Sequence, residues 1–215
     1  MLFKFIAKLF VRNPRYLNIL KKSELAVYMF CRKVATEADK SGYKNIHKQL
    51  IEQAVIEYQH AQIFAELEGS RLTETPQALI RRGKQSLEWG SVNWDTERKY
   101  YVSNLSQNPL AKIFFKNKSA DSYSFLDKLA FMIILEEYQS NFYYTLSTLV
   151  DSKIKDKVLK ILRDEHIHAC TLKKLLLETI PENEANKYLN RWRRRALFVF
   201  LYAPIYFLKT ARNRT

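Results

Sequence analysis

The sequence LRDEHIHACTLKK, residues 162–174, places Glu165 three residues before His168. At that spacing both side chains project from one face of an α-helix. A single Glu-x-x-His pair arises by chance, and a solvated helix face is its usual explanation. The segment IEYQHAQIF, residues 56–64, repeats the spacing with Glu57 and His60, so two of the chain's four histidines stand in such pairs. The repetition favours one common cause, a metal site, over two polar surface stripes.

The composition predicts an all-α protein with one central domain. The 215 residues are 47% hydrophobic, which is enough to bury a core. Only four glycines and five prolines leave few residues for the turns of an all-β fold. The two cysteines, Cys31 and Cys170, form neither a disulfide framework nor a Cys-x-x-Cys motif. We therefore expect a reducing, cytoplasmic setting.

Four long segments have helical periodicity, and each carries an acidic residue inside its apolar stripe. The predicted helices cover residues 14–40, 42–67, 122 or 124 to 150, and 152–180. Charged side chains are seldom buried unless they are paired or bound to metal. The acids predicted to be buried are Glu24, Glu57, Glu136 and Glu165, with Glu137 as the alternative to Glu136.

The net charge of +14 belongs entirely to the two ends of the chain. Residues 1–22 contain six lysines and arginines and no acid, and residues 187–215 contain eight and no acid. The ends are also apolar, which favours a lipid surface over a nucleic acid as the partner. We therefore divide the chain into an amphipathic basic segment (1–13), a bundle (14–180) and a basic apolar segment (181–215).

Both terminal segments have the pattern of interfacial rather than membrane-spanning helices. In MLFKFIAKLFVR, residues 1–12, the apolar residues follow helical spacing, and no signal-peptide cleavage site follows. The thirteen uncharged residues 196–208 are fewer than the roughly 20 needed to cross a bilayer, and they include Pro204. We expect this segment to lie in the membrane interface, with Trp192, Tyr202 and Tyr206 near the headgroups. The alternatives are a fifth helix packed on the bundle and a contact with a partner protein.

The order Glu, Glu-x-x-His, Glu, Glu-x-x-His resembles the ferritin-like di-iron carboxylate superfamily over residues 14–180. The segment LRDEHIHA is similar to the last helix of cyanobacterial aldehyde-deformylating oxygenases, and rubrerythrins and demethoxyubiquinone hydroxylases share the ligand order. The resemblance implies a four-helix bundle with an insertion between its second and third helices. It also implies two iron ions, with manganese as the alternative metal, held by Glu24, Glu57, His60, Glu136 or Glu137, Glu165 and His168.

This resemblance implies an oxidoreductase with no catalytic residue beyond the metal ligands. With basic apolar termini, it predicts a peripheral or monotopic oxygenase on the cytoplasmic face of a membrane. Its expected partners are the lipid surface, dioxygen, an electron donor and a lipophilic substrate such as a quinone or fatty aldehyde. Two other functions stay open: a ferroxidase or iron-handling protein, and a non-enzymatic membrane-bound bundle.

The remaining polar and aromatic residues receive only structural predictions. His166 is expected to be exposed, because it projects from a different helix face than Glu165 and His168. His47, near the start of the second predicted helix, is expected to be a surface or capping residue rather than a ligand. Asp164 is a candidate acceptor for the second ring nitrogen of a ligating histidine. The insertion, residues 68–123, can be assigned no chemistry, and its aromatic residues are expected to pack over the bundle; they are Trp89, Trp94, Tyr100 and Tyr101.

Overall fold

The computed structural model describes residues 2–12, 15–69, 72, 113–116 and 118–212, and this part of the chain is all-α. It contains six α-helices and no strand, which confirms the predicted fold class. The helices are α1 (Leu2–Arg12), α2 (Arg15–Lys40), α3 (Lys44–Leu67), α4 (Phe125–Ser147), α5 (Ser152–Thr179) and α6 (Glu182–Arg212). They form two units: residues 13–105 contain α2 and α3, and residues 1–12 with 106–215 contain the other four.

Helices α2 and α3 form an antiparallel hairpin with a short turn. Gly42 has a φ of 82°, a left-handed conformation that favours glycine. Its backbone N–H donates to the Asp39 carbonyl, so the turn closes directly after α2. At the far end of the hairpin, Lys21 forms an ion pair with Glu68. Apolar residues of the two helices are buried, including Leu20, Val27, Cys31, Leu50, Ala54, Ala61 and Phe64.

Helices α4 and α5 form a second hairpin whose starts are defined by side-chain caps. The Ser124 hydroxyl accepts the backbone N–H of Asp127, so Ser124 rather than Ser122 caps α4. The Asp151 carboxylate accepts two backbone N–H groups at the start of α5. Helix α5 ends one residue earlier than predicted, at Thr179, ahead of Pro181. Local capping residues therefore define where both helices of this hairpin begin.

Helix α6 packs against α4 through Trp192, which corrects the expectation that this residue lies among lipid headgroups. The indole is completely buried, and its Nε1–H donates to the Asp127 carboxylate at 3.2 Å. Its ring contacts Phe115 and Phe131, with centroids 5.7 and 5.1 Å away. A buried acceptor and aromatic neighbours satisfy both ends of this amphipathic side chain inside the protein. Ala196 and Val199, farther along α6, are also buried.

Helix α1 packs against α4 and α6 rather than standing apart. Ile6 and Ala7 are buried, and the ring of Phe3 lies 6.1 Å from that of Tyr138 on α4. Burial, with a smaller contribution from the adjacent Glu137 carboxylate, raises the pKa of the Tyr138 hydroxyl. The N-terminal segment is thus held on the protein by one of its faces.

Among the described residues, no helix combines the length and the apolar character that are needed to cross a bilayer. Most of the predicted insertion lies outside the described residues, including the four aromatic positions Trp89, Trp94, Tyr100 and Tyr101. The same holds for the side chain of Tyr206.

Candidate metal centre

The α2–α3 hairpin carries a buried triad, Glu24, Glu57 and His60, which we call the first triad. One potential ligand atom from each residue lies within 4.8 Å of the others. His60 Nδ1 is 3.6 Å from Glu57 Oε2 and 3.9 Å from Glu24 Oε2. All three side chains are completely buried. Two carboxylates and one imidazole therefore converge inside one hairpin.

The α4–α5 hairpin carries a second triad of the same composition, Glu136, Glu165 and His168. Its ligand atoms also lie within 4.8 Å of one another. His168 Nδ1 is 3.7 Å from Glu165 Oε2 and 3.9 Å from Glu136 Oε2. The three side chains are buried. Each imidazole–carboxylate distance matches its counterpart in the first triad to within 0.1 Å.

The helical repeat explains why the triads form. Glutamate and histidine three residues apart stand one above the other on a helix face, and the neighbouring helix of each hairpin adds one more glutamate. An alanine follows each histidine, Ala61 and Ala169, and both alanines are buried. The ligands therefore lie on the buried, apolar faces of their helices.

The donor set fits a metal ion. Two buried carboxylates held this close repel each other when both are ionised, and a divalent cation offsets that repulsion. Carboxylate oxygens with one imidazole nitrogen suit iron, manganese and zinc better than soft metals such as Cu(I). Each triad is therefore a group of side chains that is able to hold a metal ion.

Glu136 and Glu137, the two candidates on α4, occupy different surroundings. Glu136 is buried beside His168, as described above. Glu137 is partly exposed, and the Arg193 guanidinium of α6 donates to both of its carboxylate oxygens, at 3.0 and 3.3 Å. A bidentate pair of this kind fixes the orientation of the carboxylate. The structure thus brings Glu136 into the second triad and turns Glu137 towards α6.

The other polar residues singled out from the sequence make contacts of their own. His166 is exposed, with Nε2 3.8 Å from Cys170 Sγ. His47 is half-buried, with Nδ1 3.0 Å from the Ala35 carbonyl oxygen. Asp164 forms an ion pair with Lys160, and its Oδ2 is 3.6 Å from Nζ.

One residue beside the first triad was not predicted from the sequence. Gln53 is completely buried, and its Nε2 donates to Glu57 Oε1 at 3.2 Å. The available signal was a polar residue one helical turn before Glu57, on the stripe that carries Leu50 and Ala54. The amide must present its nitrogen, because an ionised carboxylate only accepts hydrogen bonds.

Comparisons with known proteins leave the two triads as the main guide to function. The chain matches no protein-family model, and searches of curated proteins and of solved structures find no match either.

Proposed function

We propose that the protein is a dimetal oxidoreductase that uses dioxygen to oxidise a lipophilic substrate at a membrane surface. The observation that carries this proposal is the duplicated triad: two buried Glu, Glu, His sets with matching distances. In four-helix bundles of the ferritin-like type, one glutamate from each of two helices and a Glu-x-x-His pair from each of the others hold a di-iron centre. We infer that Glu24, Glu57 and His60 hold one iron ion and that Glu136, Glu165 and His168 hold a second.

In this proposal, the side chains of the protein bind the metal ions and exclude water from them. The four carboxylates neutralise the charge of the cations, and each imidazole contributes one neutral nitrogen ligand. When bound, redox-active metal ions supply electrons and open coordination positions for dioxygen. Buried apolar residues on the ligand-bearing helices exclude water around the triads; they include Phe64, Leu129, Met132 and Leu172.

Direct measurement of metal and dioxygen tests this function. Purified protein loaded anaerobically with Fe²⁺ is expected to retain about two ions per chain. When this protein is mixed with dioxygen, we expect the dioxygen to be consumed. Lipid extracts of knockout cells are expected to accumulate an apolar precursor, which the purified protein oxidises when it is supplied with dioxygen and an electron donor. Unchanged lipids together with altered iron tolerance would indicate the ferroxidase instead, and protein that binds no iron or manganese would overturn both.

The membrane part of the proposal rests on helix α6. Its buried face, with Trp192, Ala196 and Val199, packs within its own unit. The side chains of Leu197, Phe198 and Leu201 remain 54%, 66% and 59% exposed. These three residues and Tyr202 form what we call the α6 apolar row. Large apolar side chains grouped on one helix are typical of an interaction surface rather than of scattered exposure.

Charge complementarity favours an anionic bilayer as the partner of the α6 apolar row. Helix α1 contacts α6 and exposes Phe5 and Val11, so a second set of apolar side chains belongs to the same unit. Residues 1–22 and 187–215 together contain fourteen basic residues and no acid. Anionic headgroups contribute about 1 kcal/mol per nearby basic residue, and the cytoplasmic leaflet carries most of them. We infer peripheral binding to that leaflet.

Vesicle binding of point variants tests this surface without disturbing the core. Leu201→Gln combined with Phe198→Gln is expected to abolish sedimentation with phosphatidylserine vesicles, whereas wild-type protein sediments with these and not with phosphatidylcholine alone. Tyr144→Gln combined with Leu177→Gln is the matched control, because Tyr144 is 63% exposed on α4 and Leu177 is exposed on α5. Unaltered binding of the first variant, or a wild-type dimer in solution that only this variant dissociates, would overturn the membrane assignment.

A further inference from the structure

The two triads have matching ligands, but the residues one helical turn before each Glu-x-x-His pair differ. Before Glu57, this position is Gln53, whose amide donates to the carboxylate. Before Glu165, it is Ile161, which is equally buried and has no polar group in its side chain. The equivalent positions before Glu24 and Glu136 are both apolar, Leu20 and Met132.

The Gln53 amide orients one carboxylate of the first triad. It occupies Glu57 Oε1, while the other oxygen, Oε2, lies 3.6 Å from His60 Nδ1. The carboxylate is thereby turned so that Oε2 faces the ligand atoms of the triad. Such supporting hydrogen bonds fix the orientation of a ligand, and their removal typically lowers metal affinity by about 10–100-fold.

We propose that Gln53 is a positioning residue that makes the two metal positions unequal, so that the first triad binds its ion more tightly and fills first. This inference rests on the proposed metal centre. Its physical basis is pre-organisation: a ligand already held in its binding orientation loses less freedom when the ion arrives. The Ile161 side chain cannot offer Glu165 the same support, because it lacks a donor.

The test is an anaerobic titration with Mn²⁺ followed by calorimetry, together with Mössbauer spectra of protein loaded with ⁵⁷Fe²⁺. Wild-type protein is expected to show two binding events of different affinity. One equivalent of iron should populate mainly one quadrupole doublet, the doublet that is missing from a Glu57→Ala variant. Both readouts are independent of enzymatic activity.

Substitutions at the two matched positions identify the cause. Gln53→Met preserves the length of the side chain but removes the donor, and it is expected to weaken the tighter event about 10–100-fold while the other is unchanged. Ile161→Met is the control and should alter neither event. Ile161→Gln gives the second triad a potential donor and is expected to tighten the weaker event, which keeps the test informative even if Gln53→Met reduces helix content.

The outcomes separate the two proposals. Wild-type protein that binds no metal would refute the metal centre and this inference with it. Two ions bound with equal affinity, or a Gln53→Met variant of native helix content that binds both as wild-type does, would refute the inference alone. Equal weakening of both events would show that Gln53 supports the fold in general rather than one ligand.

Discussion

The α2–α3 hairpin and the α4–α5 hairpin carry the same kind of triad in different surroundings. Both place a glutamate opposite a Glu-x-x-His pair, and the resulting distances agree to within 0.1 Å. The first hairpin places a polar amide beside its ligands, whereas the second is covered by two further helices of its own unit, α1 and α6. Helical spacing is therefore sufficient to make a triad, and long-range packing decides how each triad is supported.

The polar character of the first hairpin extends beyond Gln53. Arg32 is buried on α2, and its Nη1 donates to the Tyr28 hydroxyl at 2.6 Å. The Tyr28 ring meets Tyr58 on α3 edge to face, with centroids 5.5 Å apart. In the second unit, the comparable aromatic cluster surrounds Trp192 and involves α6. The aromatic contact of the first hairpin therefore lies between its own two helices, whereas the aromatic cluster of the second unit also involves α6.

The largest expected effect is loss of metal from both hairpins at once. Glu57→Ala and Glu165→Ala each remove a carboxylate from one triad, so each single variant should retain about one ion and the double variant almost none. Elemental analysis after gel filtration measures the retained metal. A double variant that holds more than half of the wild-type metal would show that the triads are not the binding sites.

A comparison within α4 sharpens the assignment of the second triad. Glu136→Gln is expected to remove the ion held by that triad, because the residue lies 3.9 Å from His168 Nδ1. Glu137→Gln should leave the metal content unchanged and weaken only the pair with Arg193. Metal analysis of both variants, with circular dichroism as a check of helix content, distinguishes them. The reverse pattern would make Glu137 the ligand.

A substitution at Trp192 is expected to destabilise mainly the unit that contains α4, α5 and α6. Trp192→Ala leaves a large cavity beside Phe131 and removes a donor from Asp127, and such substitutions cost about 3–5 kcal/mol. Hydrogen exchange is expected to accelerate in α4, α5 and α6 more than in α2 and α3. The matched control is Phe198→Ala on the exposed face of α6, which should have little effect. Uniform acceleration across all five helices would contradict this division.

The sequence predicted what depends on local spacing and missed what depends on distant contacts. The four central helices were predicted to within a few residues of their limits, because capping residues and apolar stripes are local signals. The burial of Trp192 was missed because its acceptor, Asp127, is 65 positions away in the chain. Gln53 was missed for a different reason: its role depends on which carboxylate oxygen faces the histidine, and spacing alone does not specify that orientation.

The smallest expected effect concerns the turns of the two hairpins, which are stabilised by different interactions. In the α4–α5 turn, Asp151 caps a helix through backbone N–H groups. In the α2–α3 turn, Lys44 Nζ donates to Asp39 Oδ1 at 2.6 Å, and this hydrogen bond is the main cause that lowers the pKa of the Asp39 carboxyl. A lowered carboxyl pKa stabilises the fold above the carboxyl pKa of the unfolded chain, about 3.9, and that contribution is lost as pH falls through the folded-state pKa.

Asp39→Asn should therefore lower the denaturant midpoint slightly at neutral pH, and the difference from wild type should vanish in acid. The effect is expected to be small because the pair is exposed and screened by solvent. Lys44→Gln removes the other partner and should give the same pH dependence, so the two substitutions combined should cost no more than either alone. A difference that grows as pH falls would reverse the sign of the linkage and exclude this ion pair as a stabiliser of the α2–α3 turn.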